Sequence, residues 1–109
     1  MRYVNPRNVI GPQDYVLDVQ VLYDGGGTVA ANSFSLARIK WEGRECFAIR
    51  WNVAIREFDD PEKQQGKECV GLPSSHGYPV WFVLPDDMVN TSSEAWKEIN
   101  RYKGEPRSR

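Results

Sequence analysis

Residues 15–23, which read YVLDVQVLY, alternate between two sets of side chains with a period of two. This alternation is typical of a β-strand, because successive side chains of a strand point to opposite faces of the sheet. One predicted face holds Tyr15, Leu17, Val19, Val21 and Tyr23. The glycine-rich segment at 24–27, DGGG, favours a turn, since glycine adopts positive φ at little cost. The chain therefore begins with a predicted strand that leads into a hairpin.

Two further β-rich segments predict an antiparallel meander. The second strand is expected over about 28–41 and the third over about 44–53, joined by a two-residue turn at Glu42-Gly43. A turn of two residues sets the register between its strands. The predicted pairs are Trp41 with Arg44, Lys40 with Glu45, Leu36 with Ile49, and Phe34 with Trp51.

The first turn predicts which face of the sheet is buried. If 24–27 is a four-residue loop, Leu17 lies opposite Phe34, and the apolar sides of all three strands coincide. We therefore expect a buried face that includes Leu17, Phe34, Ile49 and Trp51. The other face is half apolar, which predicts a cover formed by a helix, by the curl of a barrel or by a second copy of the chain.

The rest of the chain predicts a surface loop, two short strands and a helix. The loop is expected at 58–67 and the strands at about 67–72 and 79–84, the second of which is apolar on both faces. The sequence TSSE, beginning at Thr91, matches a capping box, and Gly104 is expected to end the helix that follows.

These elements predict an α+β fold. It would hold a curved antiparallel sheet or half-open barrel of about five strands, with the C-terminal helix across one side or end. A length of 109 residues suits a single domain over 1–109, with an N-terminal arm at 1–12 and a frayed tail at 104–109.

Composition and charge exclude some classes of function. The chain is 40% hydrophobic and 27% charged, as in folded globular proteins, and its net charge of −1 gives no overall attraction to nucleic acid or to an anionic membrane. The sequence MRYVNPRNVI lacks the uninterrupted apolar segment of a signal peptide. We therefore expect a cytoplasmic protein with no membrane partner.

Cys46 and Cys69 are the only cysteines, and His76 is the only histidine. Their spacing lacks the C-x-x-C clusters of zinc sites. We expect two free thiols, with a disulfide as the alternative, and neither a metal ion nor a cofactor.

Ser74 and His76 are weak candidates for a nucleophile and its general base, with Asp86 or Asp87 as the orienting acid. The G-x-S-x-G elbow and its strand–turn–helix setting are absent from the sequence. The surrounding prolines and glycines favour a tight turn with His76 facing solvent. A hydrolase that uses this loop remains one alternative.

A second set of candidates combines aromatic and basic side chains. Arg44 and Arg50 near Trp41 suit a small β-barrel that binds single-stranded nucleic acid through stacking and a basic groove. Tyr78 and Trp81, together with Trp41, would instead line a small-molecule pocket in the mouth of a barrel. These binding assignments stay open beside the hydrolase.

The sequence IRWN at 49–52, followed by GLPSSHGYPVWFVLP at 71–85, resembles a pattern in small single-domain bacterial proteins of the kind carried on integron gene cassettes. The resemblance covers about 36–90, and the segment that ends in WFVLP is its most specific part. It implies a compact β-rich domain of bacterial origin that self-associates. It implies no activity, so no catalytic residues carry over.

The leading hypothesis is a non-enzymatic binding or interaction module that forms a homo-oligomer. Its basis is the excess of apolar surface, since one helix cannot cover both the half-apolar sheet face and the apolar strand at 79–84.

Overall fold

The structure, a computed structural model, describes residues 1–11 and 16–104. Tyr15 of the predicted first strand, residue 12 of the predicted arm and 105–109 of the predicted tail lie outside the described residues. The strands are β1 (Val16–Asp24), β2 (Phe34–Trp41), β3 (Arg44–Trp51), β4 (Ser74–Ser75), β5 (Tyr78–Pro79) and β6 (Phe82–Val83). The helices are α1 (Ile55–Phe58), α2 (Pro61–Gln64), α3 (Asp86–Val89) and α4 (Glu94–Gly104), with 3-10 turns at Pro6–Asn8 and Ala30–Asn32.

The strands form two antiparallel sheets. The larger sheet has the order β1-β2-β3-β6, and β4 pairs only with β5 in a small hairpin. The larger sheet is open, since β1 and β6 are its two edges. An α+β fold with an open antiparallel sheet and a C-terminal helix is therefore confirmed. Among the described helices, none has both the length and the apolar character needed to cross a membrane.

The predicted hairpin between β2 and β3 is confirmed residue by residue. All eight pairs follow the expected register, from Phe34 with Trp51 to Trp41 with Arg44. Glu42 and Gly43 have φ of 51° and 83°, the positive values that a type I′ hairpin turn needs at both central residues.

The predicted register between β1 and β2 is wrong. Leu17 lies opposite Lys40, not Phe34, and the connection runs from Gly25 to Ser33. The connection is longer than four residues because the 3-10 turn Ala30–Asn32 replaces the expected start of β2. The side chain of Asn52 holds this loop by donating to the Asp24 carboxylate (3.0 Å) and to the Gly26 carbonyl (2.9 Å).

Two bulges in β1 change which residues point to the core. One lies at Asp18, whose φ is 53°, and the other lies just before Tyr23. Each bulge inserts an extra residue and so reverses the alternation of the side chains that follow. Val19 consequently packs against the core, and Val21 lies opposite the buried Ala37.

The buried face of the larger sheet is the one opposite to that predicted. We call the face that carries Ala37 and Ala48 the inner face, and the face that carries Leu36 and Ile49 the outer face. Ala37 and Ala48 lie side by side, and such small side chains leave space for the buried ring of Trp81. The core cluster consists of Val9, Val16, Ala37, Ile39, Ala48 and Trp81.

The N-terminal residues complete the cover of the inner face. The Val9 carbonyl accepts a hydrogen bond from Trp81 Nε1 (2.7 Å), and the Gly11 carbonyl accepts one from the Trp81 backbone amide (3.0 Å). The inner face is therefore buried by segments that are distant in sequence. The expected buried positions Leu17 and Trp51 are exposed on the outer face instead.

The two short strands predicted late in the chain are wrong in extent. Residues 67–72 form only isolated bridges, at Cys69 and at Leu72, and within 79–84 only Phe82–Val83 pairs with β3. The guanidinium of Arg50 binds carbonyl groups of this region, so side-chain donors replace part of the strand ladder.

The predicted loop at 58–67 contains a single helical turn, α2. Asp60 caps it by accepting a hydrogen bond from the Glu62 amide (2.9 Å), with Pro61 at the first helical position. The prediction of a surface loop did not include this helical turn.

Helix α4 starts two residues later than the predicted capping box. Ser93 Oγ accepts from the Trp96 amide (3.3 Å), while the Glu94 carboxylate pairs with Lys97 (3.1 Å) instead of reaching back. Ser93, and not Thr91, is therefore the capping residue, and the helix runs to Gly104.

Candidate functional site

A continuous row of apolar side chains crosses the outer face. Tyr23 lies opposite Leu36, Leu36 opposite Ile49, and Ile49 opposite Phe82, so the row includes one residue from each strand of the larger sheet. Residues that lie directly opposite each other share a face of a sheet. The row therefore spans the full width of the larger sheet on the side opposite the core.

The aromatic members of the outer face are exposed. The exposed fractions are 55% for Phe82, 46% for Tyr23 and 43% for Trp51. The half-buried ring of Phe34 lies between two of them, with ring centroids 5.0 Å from Tyr23 and 6.2 Å from Trp51. These distances are typical of favourable aromatic pairs, so the rings of Tyr23, Phe34 and Trp51 form one connected group, and Phe82 lies on the same face at the far end of the row.

The outer face is charged at the end that lies near the β2–β3 turn. Lys40 Nζ lies 3.7 Å from Asp18, and the guanidinium of Arg38 lies 2.5 Å from Glu45. Both pairs are largely open to solvent, so each contributes little to stability. The outer face thus combines an apolar end with an end at which opposite charges are paired.

The predicted binding residues are dispersed and do not form one surface. Trp41 is half-buried against the core, and the buried Trp81 forms part of that core. Arg44 is exposed and pairs with Asp86 (3.0 Å), whereas Tyr78 is exposed on the β4–β5 hairpin. Neither predicted set, Trp41 with Arg44 and Arg50 or Trp41 with Tyr78 and Trp81, forms a single exposed surface in the fold.

Arg50, the remaining predicted binding residue, is 3% exposed and has a structural role. Its guanidinium donates to the carbonyls of Val80 (2.5 Å), Pro73 (3.3 Å) and Val70. Burial lowers the pKa of Arg50 to about 10, although the charge of Glu57 opposes this shift. The guanidinium stays charged at neutral pH and ties the 70–80 segment to β3.

Glu57, which the sequence analysis did not single out, supports the same segment. Its buried carboxylate accepts from the backbone amides of Ala54 (2.9 Å), Val70 (2.9 Å) and Gly71 (2.8 Å), and pairs with Lys63 (3.1 Å). Burial raises the pKa of Glu57, but these hydrogen bonds outweigh it and leave the pKa below its usual value. No spacing rule in the sequence links Glu57 to Gly71.

Ser74 and His76 lie on the β4–β5 hairpin but line different cavities. His76 and Gly77 form its turn, with φ of 51° and 80°. Ser74 borders a cavity of about 280 Å³ beside Glu57 and Lys63, whereas His76 borders another of about 660 Å³. Both side chains are exposed, and neither forms a side-chain hydrogen bond with any described residue. The geometry gives no nucleophile–base pair.

Both cysteines are free, with Cys69 buried and Cys46 half-buried. Burial raises the pKa of the Cys69 thiol, which favours its protonated form. Within residues 1–11 and 16–104, no three His, Cys, Asp or Glu side chains are grouped so that they could hold a metal ion.

Comparison with protein-family models, with curated proteins and with solved structures found no match to this chain. The resemblance to proteins of the integron-cassette kind therefore stays a prediction, and the candidate site rests on the geometry of the outer face.

Proposed function

We propose that this protein is a non-enzymatic interaction module that self-associates through the outer face of its larger sheet. The observation that carries the proposal is the row of Tyr23, Leu36, Ile49 and Phe82 on the side opposite the core. An antiparallel sheet with one face in water normally carries polar side chains on that face. An exposed apolar face of this kind is typical of an interaction site.

The size of the patch is consistent with a weak to moderate dimer. The exposed parts of Tyr23, Trp51 and Phe82 amount to about 300 Å² of aromatic surface per copy. Burial of two such patches would contribute about 15 kcal/mol at 25 cal/mol per Å². Association costs roughly 4–15 kcal/mol in lost freedom of motion, so we expect a dissociation constant near the micromolar range.

The charged end of the outer face suits the rim of such an interface. The pairs of Lys40 with Asp18 and of Arg38 with Glu45 neutralise each other within one copy. A second copy could therefore cover the apolar end while these pairs stay hydrated, which is the usual division between core and rim.

Sedimentation velocity over a range of about 1–200 μM tests the proposal directly. The wild-type chain should shift from monomer to dimer as its concentration rises. Phe82→Asp should keep the fold but remain monomeric, because it places a charge on the exposed apolar surface at one end of the row. Ile55→Asp is the matched control, since Ile55 is 73% exposed on α1, outside the outer face.

The control should dimerise like the wild-type chain. A wild-type chain that stays monomeric at 200 μM would overturn the proposal, and so would a Phe82→Asp variant that associates as strongly as the control.

Binding of single-stranded nucleic acid is a second candidate. The exposed ring of Trp51 shares the outer face with Arg38 and Lys40, an arrangement that suits base stacking beside phosphate contacts. The pairing of both cations with carboxylates weighs against it. Retention of a labelled oligonucleotide at low salt, lost as salt rises, would favour this candidate over self-association.

A further inference from the structure

Helix α4 carries a second apolar surface within this chain. Its apolar residues Ala95, Ile99 and Tyr102 follow the i, i+4, i+7 spacing of one helix face. Ala95 and Ile99 are only half-buried, and Tyr102 is more exposed still. The helix therefore presents an apolar stripe, which we define as these three residues, that its own chain covers only in part.

The contacts of α4 within the chain hold it beside α3. Trp96 Nε1 donates to the Met88 carbonyl (2.5 Å), and Ser93 Oγ donates to the Asp87 carbonyl (2.7 Å). These bonds fix the first turn of α4 on the short helix that precedes it. The outer face stays exposed at Tyr23, Trp51 and Phe82 while α4 holds this position.

Helix α4 and the outer-face row are similar in length. Eleven residues of α-helix span about 16 Å, at 1.5 Å per residue. The row crosses four strands spaced about 4.8 Å apart, which is about 14 Å from Tyr23 to Phe82. A helix laid across the strands would therefore cover all four members of the row.

The charges of α4 are also compatible with this arrangement. Glu94 pairs with Lys97 (3.1 Å) and Glu98 pairs with Arg101 (2.8 Å), and these four side chains lie outside the stripe. Packing the stripe against the row would thus leave both ion pairs intact.

We infer that the occupant of the outer face is helix α4 of a second copy, so that two copies cover each other's sheets reciprocally. This inference rests on the proposed self-association and names the segment that performs it. Two such contacts bury two aromatic patches of about 300 Å² each and two stripes in which Tyr102 is 62% exposed, and together these surfaces approach the roughly 1,000 Å² of a specific interface.

Reciprocal exchange predicts complementation between two defective variants. Ile99→Asp damages the stripe, and Phe82→Asp damages the row, so neither variant retains an intact contact in its own dimer. A mixed dimer retains one, formed by the intact helix of the Phe82→Asp chain on the intact face of the Ile99→Asp chain. Direct face-to-face packing of the sheets would instead leave Ile99→Asp dimeric.

The experiment measures dimer formation by sedimentation for each variant alone and for an equimolar mixture. Each variant alone should raise the dissociation constant about 30-fold or more, and the mixture should contain dimers at concentrations where neither variant forms them. Asn100→Asp is the matched control, because it adds the same charge to an exposed residue of α4 outside the stripe. The control should leave dimerisation unchanged.

Ala95→Asp is a second stripe variant, which distinguishes loss of the contact from loss of helical structure in Ile99→Asp. It places a charge in the same stripe, but near the helix N-terminus, where an acidic side chain favours the helix. Dimers formed by both stripe variants, or a mixture that never exceeds its components, would overturn this inference while leaving self-association intact. A monomeric wild-type chain would overturn both.

Discussion

Replacement of Arg50 by methionine measures how much the 70–80 segment depends on one side chain. The guanidinium donates to the carbonyls of Val80, Pro73 and Val70, and methionine retains the apolar volume but none of the donors. Three hydrogen bonds from a charged donor, at about 2 kcal/mol each, amount to roughly 6 kcal/mol.

Part of this loss is recovered because the charge no longer has to be buried. The fall in the pKa of Arg50 to about 10 corresponds to roughly 3 kcal/mol of burial cost. The expected net loss in the free energy of unfolding is therefore about 3 kcal/mol, with a fall in Tm of about 12 °C for a domain of this size.

Urea unfolding of the wild-type and Arg50→Met chains, followed by tryptophan fluorescence, gives this difference. Arg44→Met is the control, since Arg44 lies on the same strand but is 71% exposed, and its pair with Asp86 should contribute less than about 1 kcal/mol. The measurement should be made at a concentration where each variant is monomeric. An Arg50→Met variant no less stable than the control would refute the structural role of Arg50.

Two further predictions concern the loop that Arg50 holds. Because the pKa of Glu57 is lowered, its contribution to stability is present above pH 4.5 and should be lost as the pH falls through the folded pKa. Glu57→Gln should cost about 2 kcal/mol at pH 7 and should flatten this loss of stability at low pH. A Glu57→Gln variant with the same urea midpoints as the wild-type chain from pH 7 to 3 would contradict this role of Glu57. Gly71→Ala should cost more than about 3 kcal/mol, because φ is +72° and a Cβ would lie 2.0 Å from the Trp51 carbonyl oxygen. Gly43→Ala, at φ +83° in open space, should cost only about 1 kcal/mol in the same urea unfolding. A larger loss of stability for Gly43→Ala than for Gly71→Ala would contradict the close contact between Gly71 and Trp51.

The β2–β3 hairpin could be predicted to the residue because its information is local. A two-residue turn at Glu42-Gly43 sets every later pair, and no other part of the chain needs to be known. The register of β1 could not be predicted in this way. Two bulges shift this register, and the loop before β2 is held by Asn52, which lies far along the chain from the residues that it binds.

The contacts that Arg50 and Glu57 make with the 70–80 segment could not be predicted from the sequence either. Arg50 and Glu57 bind backbone atoms of residues 13–30 positions away, and backbone atoms carry no signature of residue type. Arg50 on a strand therefore suggested a binding residue, whereas the fold uses it as an internal support.

The sequence by itself determined the three long strands, the hairpin turn, the α+β class and the presence of two apolar sides on one meander, because turns and alternation act between near neighbours. Only the tertiary structure decided which side is buried. Trp81 and the N-terminal residues settle on the face where Ala37 and Ala48 leave room, and this turns the larger apolar residues outward. The outer face is exposed because the ring of Trp81 packs on the inner face, where the small opposing side chains allow a large ring to make the most contact.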